Sequence, residues 1–166
     1  MRNLIAIPVI ILAVILQSSV VSRLTLLSGF GDLPLVLLVA WALQEEVDSA
    51  WHWAIAIGVF VGFVSGVSWL VFVIGYVAVV ALTKALRMRV WQAPLLAMFS
   101  MTFLGTILLN LTSLAFLQLT GVAIPLRDAF GLLTLPSVLL NLFFAVPAYA
   151  VMRDLARWTY PSMEAE

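Results

Sequence analysis

From Trp51 to Leu82 the chain carries no Asp, Glu, Lys or Arg. A domain of only 166 residues has too small an interior to hide such a stretch from water along with the other apolar runs beside it. A helix crossing the hydrocarbon layer of a membrane needs about 20 apolar residues. The 51–82 block is too long for one crossing and just long enough for two short ones, turning near Gly66-Val67-Ser68. Four further runs follow the same pattern: Leu4 to Val21, Leu33 to Leu43, Pro94 to about Leu119, and about Ala129 to Met152. Composition agrees, with 64% hydrophobic and 10% charged residues, against about 45–50% and about 25% in soluble domains. The pattern predicts an all-α, polytopic membrane bundle.

The first run follows Arg2 and has the look of a signal peptide, but Val20-Val21-Ser22 lacks the small-x-small cleavage pattern, so an uncleaved helix is expected. The second run is short; Asp32 can cap it and Pro34 suits its first turn. Trp41, Trp51 and Trp53 flank the polar stretch Gln44 to Ser49 and read as interfacial anchors. Five or six spans are possible, and basic residues decide between them. Six spans with the N-terminus inside put Arg2, Lys84, Arg87, Arg89, Arg153 and Arg157 on the cytoplasmic side and only Arg23 and Arg127 outside. The expectation is a single six-helix transmembrane domain over residues 1–158, both ends cytoplasmic, with a short cytoplasmic tail over 159–166. Lys84, Arg87 and Arg89 form its cytoplasmic basic cluster.

A formal net charge of zero offers no basic face for nucleic acid. The absence of cysteine removes disulfides, thiolate metal sites and cysteine nucleophiles, and one histidine makes no His-rich metal site. Glu45, Glu46 and Asp48 read as a solvated loop, His52 as an interfacial residue, and Gly29-Phe30-Gly31 lacks the strand–turn–helix setting of a nucleotide loop. Gly62-Phe63-Val64-Ser65-Gly66 is superficially similar to the Gly-x-Ser-Gly of rhomboid proteases, but Phe63 replaces the glycine and the sole histidine precedes the serine. No base is left to activate Ser65. Neither an enzyme, a cofactor nor a metal is expected.

Two spacings mark faces. Ala54, Gly58, Gly62 and Gly66 recur every four residues and make a smooth ridge along a helix, suited to close packing on another helix or on a partner. Thr102, Thr106 and Asn110 form a polar stripe with Ser113 one turn further on, Ser137 and Asn141 a second, and Gln17 with Ser18 closes the first span. Such side chains face the interior of a bundle, where they bond to other helices or wall a small cavity. No span contains a buried acid or base in its middle, which argues against ion- or proton-coupled transport.

Four segments, in order, resemble a family: Leu16-Gln17-Ser18-Ser19; Gly31-Asp32-Leu33-Pro34-Leu35-Val36-Leu37-Leu38; Gly58-x3-Gly62; and Leu135-Pro136-Ser137-Val138-Leu139-Leu140-Asn141, with Arg153 near the end. Across nearly the whole chain they resemble the bacterial rod shape-determining membrane protein MreD. The resemblance implies a six-helix fold similar to the substrate-binding subunits of energy-coupling-factor vitamin transporters. It also implies a non-catalytic scaffold in the cell inner membrane that binds MreC, a single-span protein with a periplasmic domain, in the peptidoglycan elongation machinery with the RodA/PBP2 synthase and MreB. The alternative is a small-molecule-binding membrane subunit of a vitamin-type transporter. Such subunits tend to carry Ala-x3-Ala on the first helix, whereas Ala6 and Ala13 are seven apart.

Overall fold

The computed structural model describes residues 6–19, 25–44, 47–65, 68–88, 93–122 and 124–160. Helix α1 is Ala6–Ser19, followed by the short antiparallel strands β1 (Thr25–Leu26) and β2 (Gly29–Phe30). Then come α2 (Leu33–Ala42), α3 (Ala50–Ser65), α4 (Trp69–Arg87) and α5 (Pro94–Leu119). The last element begins as a single turn, α6 (Leu126–Asp128), widens into a π-helical stretch over Ala129–Thr134, and continues as α7 (Leu135–Thr159). Among the described residues, α4, α5 and the run Ala129–Thr159 are long and apolar enough to cross a membrane. The chain is a mostly helical, membrane-embedded protein.

The apolar block at 51–82 does divide into two helices, α3 ending at Ser65 and α4 beginning at Trp69, which pack closely. The centre is occupied by α2, which touches α1, α3, α4, α5 and α7. Leu35, Val36, Leu38, Val39, Ala40 and Ala42 are all fully buried. A helix apolar on every side belongs inside a bundle rather than at its edge, and the sequence of α2 has no polar face. Its 10 residues rise about 15 Å, half the roughly 30 Å of the hydrocarbon layer. The β1–β2 hairpin precedes it directly in the chain.

That hairpin is held by the start of α7. Pro136 has no N–H, so the carbonyl of Leu132 loses its helical donor; the N–H of Ser28 replaces it at 3.2 Å. The approach is so close that a Cβ on Gly29 would lie 2.7 Å from the Leu133 carbonyl oxygen, the Pro136 Cβ and the Ser137 nitrogen. The threonine hydroxyl at 134 donates to the carbonyl of Ala129, five residues back, at 3.0 Å, matching the wider π turn.

The tryptophans correct an expectation. Trp41 and Trp53 are not interfacial anchors but core residues, 2% and 5% exposed, stacked with centroids 4.8 Å apart. Tyr160 lies on Trp41 at 6.4 Å, so the packed structure continues past residue 158; residues 161–166 lie outside the described part. Only Trp51 of the three is exposed. The close of α2, the end of α4 and the end of α7 meet at this basic end, where Arg87 Nη1 donates to the carbonyls of Gln44 at 2.6 Å and Ala42 at 3.5 Å.

Candidate functional site: a polar junction and its cavity

Where β2 gives way to α2, the backbone is not helical, and its polar groups need partners that the chain does not supply locally. Three side chains from distant helices supply them. Gln17 at the end of α1 donates Nε2–H to the carbonyl of Gly31 at 2.6 Å and accepts the N–H of Leu33 on Oε1 at 2.9 Å. Asn141 in α7 accepts the N–H of Asp32 on Oδ1 at 2.6 Å and donates from Nδ2 to the Thr106 hydroxyl in α5 at 2.9 Å. Thr106 in turn donates to the carbonyl of Thr102 at 2.7 Å. Ser137 Oγ accepts the N–H of Phe30 at 3.2 Å. Each amide is thus oriented by what it meets, oxygen to N–H and nitrogen to an acceptor.

Asp32 caps α2 as expected, its Oδ1 accepting the N–H of Leu35 at 3.0 Å. The carboxylate is also held by Tyr76 of α4, whose hydroxyl lies 3.1 and 3.0 Å from its two oxygens. Tyr76 is fully buried. Asp32 therefore lies beside the middle of α4, at Tyr76, and beside the first turns of α7, at Asn141. Asp32 heads α2 as its N-cap and lies in the middle of no span, so it is an acid that a span-by-span reading does not weigh. Asp32 escaped notice as a half-buried acid because it is not inside a helical span; the signal available was an apolar run too short to cross alone, headed by Gly-Asp.

Above the junction lies a cavity of about 480 Å³, lined by Gln17, Asp32, Thr106, Asn110, Ser137 and Asn141 among others. It brings together every residue of the two polar stripes and the first-span pair except Thr102, which is buried away from it with its hydroxyl oxygen unpartnered as a donor or acceptor. Asn110 differs from Gln17 and Asn141: its Nδ2 is buried and has no hydrogen-bond partner. The walls are mostly apolar, from Leu35, Val61, Phe72 and Leu109.

The small-residue ridge lies elsewhere. Ala54, Gly58 and Gly62 are buried on α3, and the latter two face α4. A Cβ on Gly58 would meet the Val73 backbone at 2.7 Å, and one on Gly62 would run into Trp69 Cα. Gly66 and Arg89 lie outside the described residues. Lys84 and Arg87 act within the fold: Lys84 Nζ donates to the carbonyl of Asp48 at 3.3 Å and lies 5.6 Å from the Trp51 ring centre, and Arg87 holds the end of α2. Cations at a helix C-terminus satisfy its last carbonyls and its dipole. No group of His, Cys, Asp or Glu among the described residues is arranged to hold a metal ion. No protein-family model, curated protein or solved structure matches the chain.

Proposed function

We propose that this chain is a non-catalytic scaffold of the MreD kind, crossing the cell inner membrane six times with both ends in the cytoplasm. Its partner is MreC, and through it the RodA/PBP2 synthase and MreB. One observation carries the reading. Three of the four segments on which the resemblance rests are far apart in sequence yet converge in space: Gln17 from the first, Gly31, Asp32 and Leu33 from the second, Ser137 and Asn141 from the last, all in one hydrogen-bonded junction, while Gly58 and Gly62 pack α3 on α4. Segments that build one structural device are what a shared architecture would keep together. The orientation is supported by Lys84 and Arg87, which share an end of the bundle with the closing turns of α2 and α7.

The test is co-purification. An affinity-tagged chain extracted in mild detergent should bring down the single-span MreC-type protein of the same cell, and its depletion should turn rods into spheres. Recovery without that protein, from cells that stay rod-shaped on depletion, refutes the scaffold.

A further inference from the structure

We propose that the last turn of α4 is a headgroup site for an anionic phospholipid, whose phosphate is taken by Arg87 and Lys84 while its acyl chains run down the seam between α3 and α4. The site goes beyond the scaffold reading and does not depend on it. Its place in the bilayer follows from length. The 19 residues of α4 rise about 28 Å, close to the roughly 30 Å of hydrocarbon. A helix that starts at one face of the membrane therefore ends at the other, among headgroups. Trp51, at the start of α3, is exposed at the same level, with its ring centre 5.6 Å from Lys84 Nζ. Aromatic rings of this kind mark a membrane interface.

The two cations are held by the fold but not neutralised by it. They stand three residues apart on α4 and so share a face, with Cβ atoms about 5–6 Å apart. Arg87 spends Nη1 on the carbonyls of Gln44 and Ala42. Its Nε and Nη2 donate to nothing in the described fold, and neither is among the buried polar atoms, so that edge of the guanidinium is open. A guanidinium edge takes two oxygens of a phosphate side by side. Lys84 makes one bond, at 3.3 Å, to the carbonyl of Asp48 and not to its carboxylate. Among the described residues the one ion pair is Arg153 with Asp154, on α7, so neither Lys84 nor Arg87 has an acid for a partner. The carbonyls and the Trp51 ring fix where both cations stand, which lowers the ordering cost when an anion arrives. About one turn from Trp51 and from Lys84, toward the bilayer centre, Ile55 and Ala81 are exposed and apolar. They offer a surface to acyl chains that a soluble anion would not use. A zwitterionic lipid brings its own cation to the same place and gains less.

The full-length protein, freed of lipid in a maltoside detergent, is titrated with dioleoylphosphatidylglycerol or dioleoylphosphatidylcholine, and bound lipids are counted by native mass spectrometry. The first phosphatidylglycerol should bind about tenfold tighter than the first phosphatidylcholine, and Lys84→Met should lose about fivefold, the worth of one basic residue at an anionic surface. Arg87→Lys keeps the charge and drops the paired donors, and should lose about threefold. Arg157→Met removes a cation at the same end of the bundle but on α7, and should change the affinity by less than about twofold. Variants are compared as single species in gel filtration, and Lys84→Met keeps the test open should Arg87→Lys fail to fold. Equal affinity for the two lipids overturns the site. A loss in Arg157→Met as large as in Lys84→Met also overturns it, by reducing it to the overall charge of that end. No loss in Arg87→Lys overturns the paired grip on phosphate. Displacement of the lipid by millimolar inorganic phosphate makes a free anion the ligand and overturns the lipid.

Discussion

Replacing Asn141 with leucine removes two hydrogen bonds of different worth. The bond from Nδ2 to the Thr106 hydroxyl, at 2.9 Å, joins two helices, and interhelical bonds of this kind average about 0.6 kcal/mol in membrane proteins. Thr106 keeps its second bond, to the carbonyl of Thr102 at 2.7 Å, so little is left stranded on that side. The other bond is from the N–H of Asp32 at 2.6 Å. That N–H stands at the head of α2, where no earlier turn of helix can take it over, and an orphaned buried donor costs about 1–3 kcal/mol. Adding the two gives a loss of about 1.5–3.5 kcal/mol for Asn141→Leu, most of it from the backbone group. Thr106→Val, which removes only the side-chain bond, should cost about 1 kcal/mol or less. Reversible unfolding in mixed micelles, followed by near-ultraviolet circular dichroism, measures both. A loss below about 0.5 kcal/mol for Asn141→Leu, or one no larger than that of Thr106→Val, would refute the claim that the broken backbone depends on this amide.

Gln17→Leu should lose as much again or more, since it frees both the Gly31 carbonyl and the Leu33 N–H; thermal aggregation in detergent reads the ranking. Gly58→Ala and Gly62→Ala should each destabilise by about 1–3 kcal/mol through overpacking, while Gly131→Ala, where an added Cβ meets nothing within 4 Å, should be neutral or stabilising by up to about 1 kcal/mol. The three glycine variants are compared by the same unfolding assay, and equal effects would remove the α3–α4 contact as the cause. A thiol at Met88, which is 85% exposed beside the basic end, should be labelled by impermeant maleimide only after cells are opened; labelling of intact cells would reverse the orientation. Arg87→Met should lower stability by about 1 kcal/mol, because the carbonyl of Gln44 loses its charged donor, and a silent substitution there would refute a role for Arg87 in holding the end of α2.

The helices were legible because their signals are local. Charge-free length, Pro94, and the turn expected near Gly66-Val67-Ser68 delimit α3, α4 and α5 to within a few residues of where they lie. The same signal mistook Trp41 and Trp53 for interface residues, since an aromatic beside a polar loop reads alike whether it faces headgroups or stacks on another ring. The β1–β2 hairpin left no trace in hydropathy. It depends on Ser137 and Asn141, whose hydrogen bonds span 107 and 109 residues, and on a carbonyl freed by Pro136. For the site, four-residue spacing put Thr106 and Asn110 on one face of α5, and they do meet Gln17, Ser137 and Asn141. Spacing could not tell which amide would be spent on the fold and which left over, because that depends on the path of another segment. Tyr76 was passed over for the same reason: nothing near it in sequence announces Asp32.

A helix of 10 residues is too short to be retained in a bilayer by its own hydrophobicity, and the polar head of α2 finds its acceptors in α1 and in α7. During synthesis the first of these is already in place, but the second emerges only after α3, α4 and α5. Until it arrives, the N–H of Asp32 and that of Phe30 have no partner, so the second segment must wait at the insertion machinery or lie at the membrane surface. Its final seating is therefore a late event, triggered by α7 closing onto the hairpin. A chain released before residue 135 would expose this unfinished segment to membrane quality-control proteases, so truncated copies should be short-lived even though most of their spans are intact.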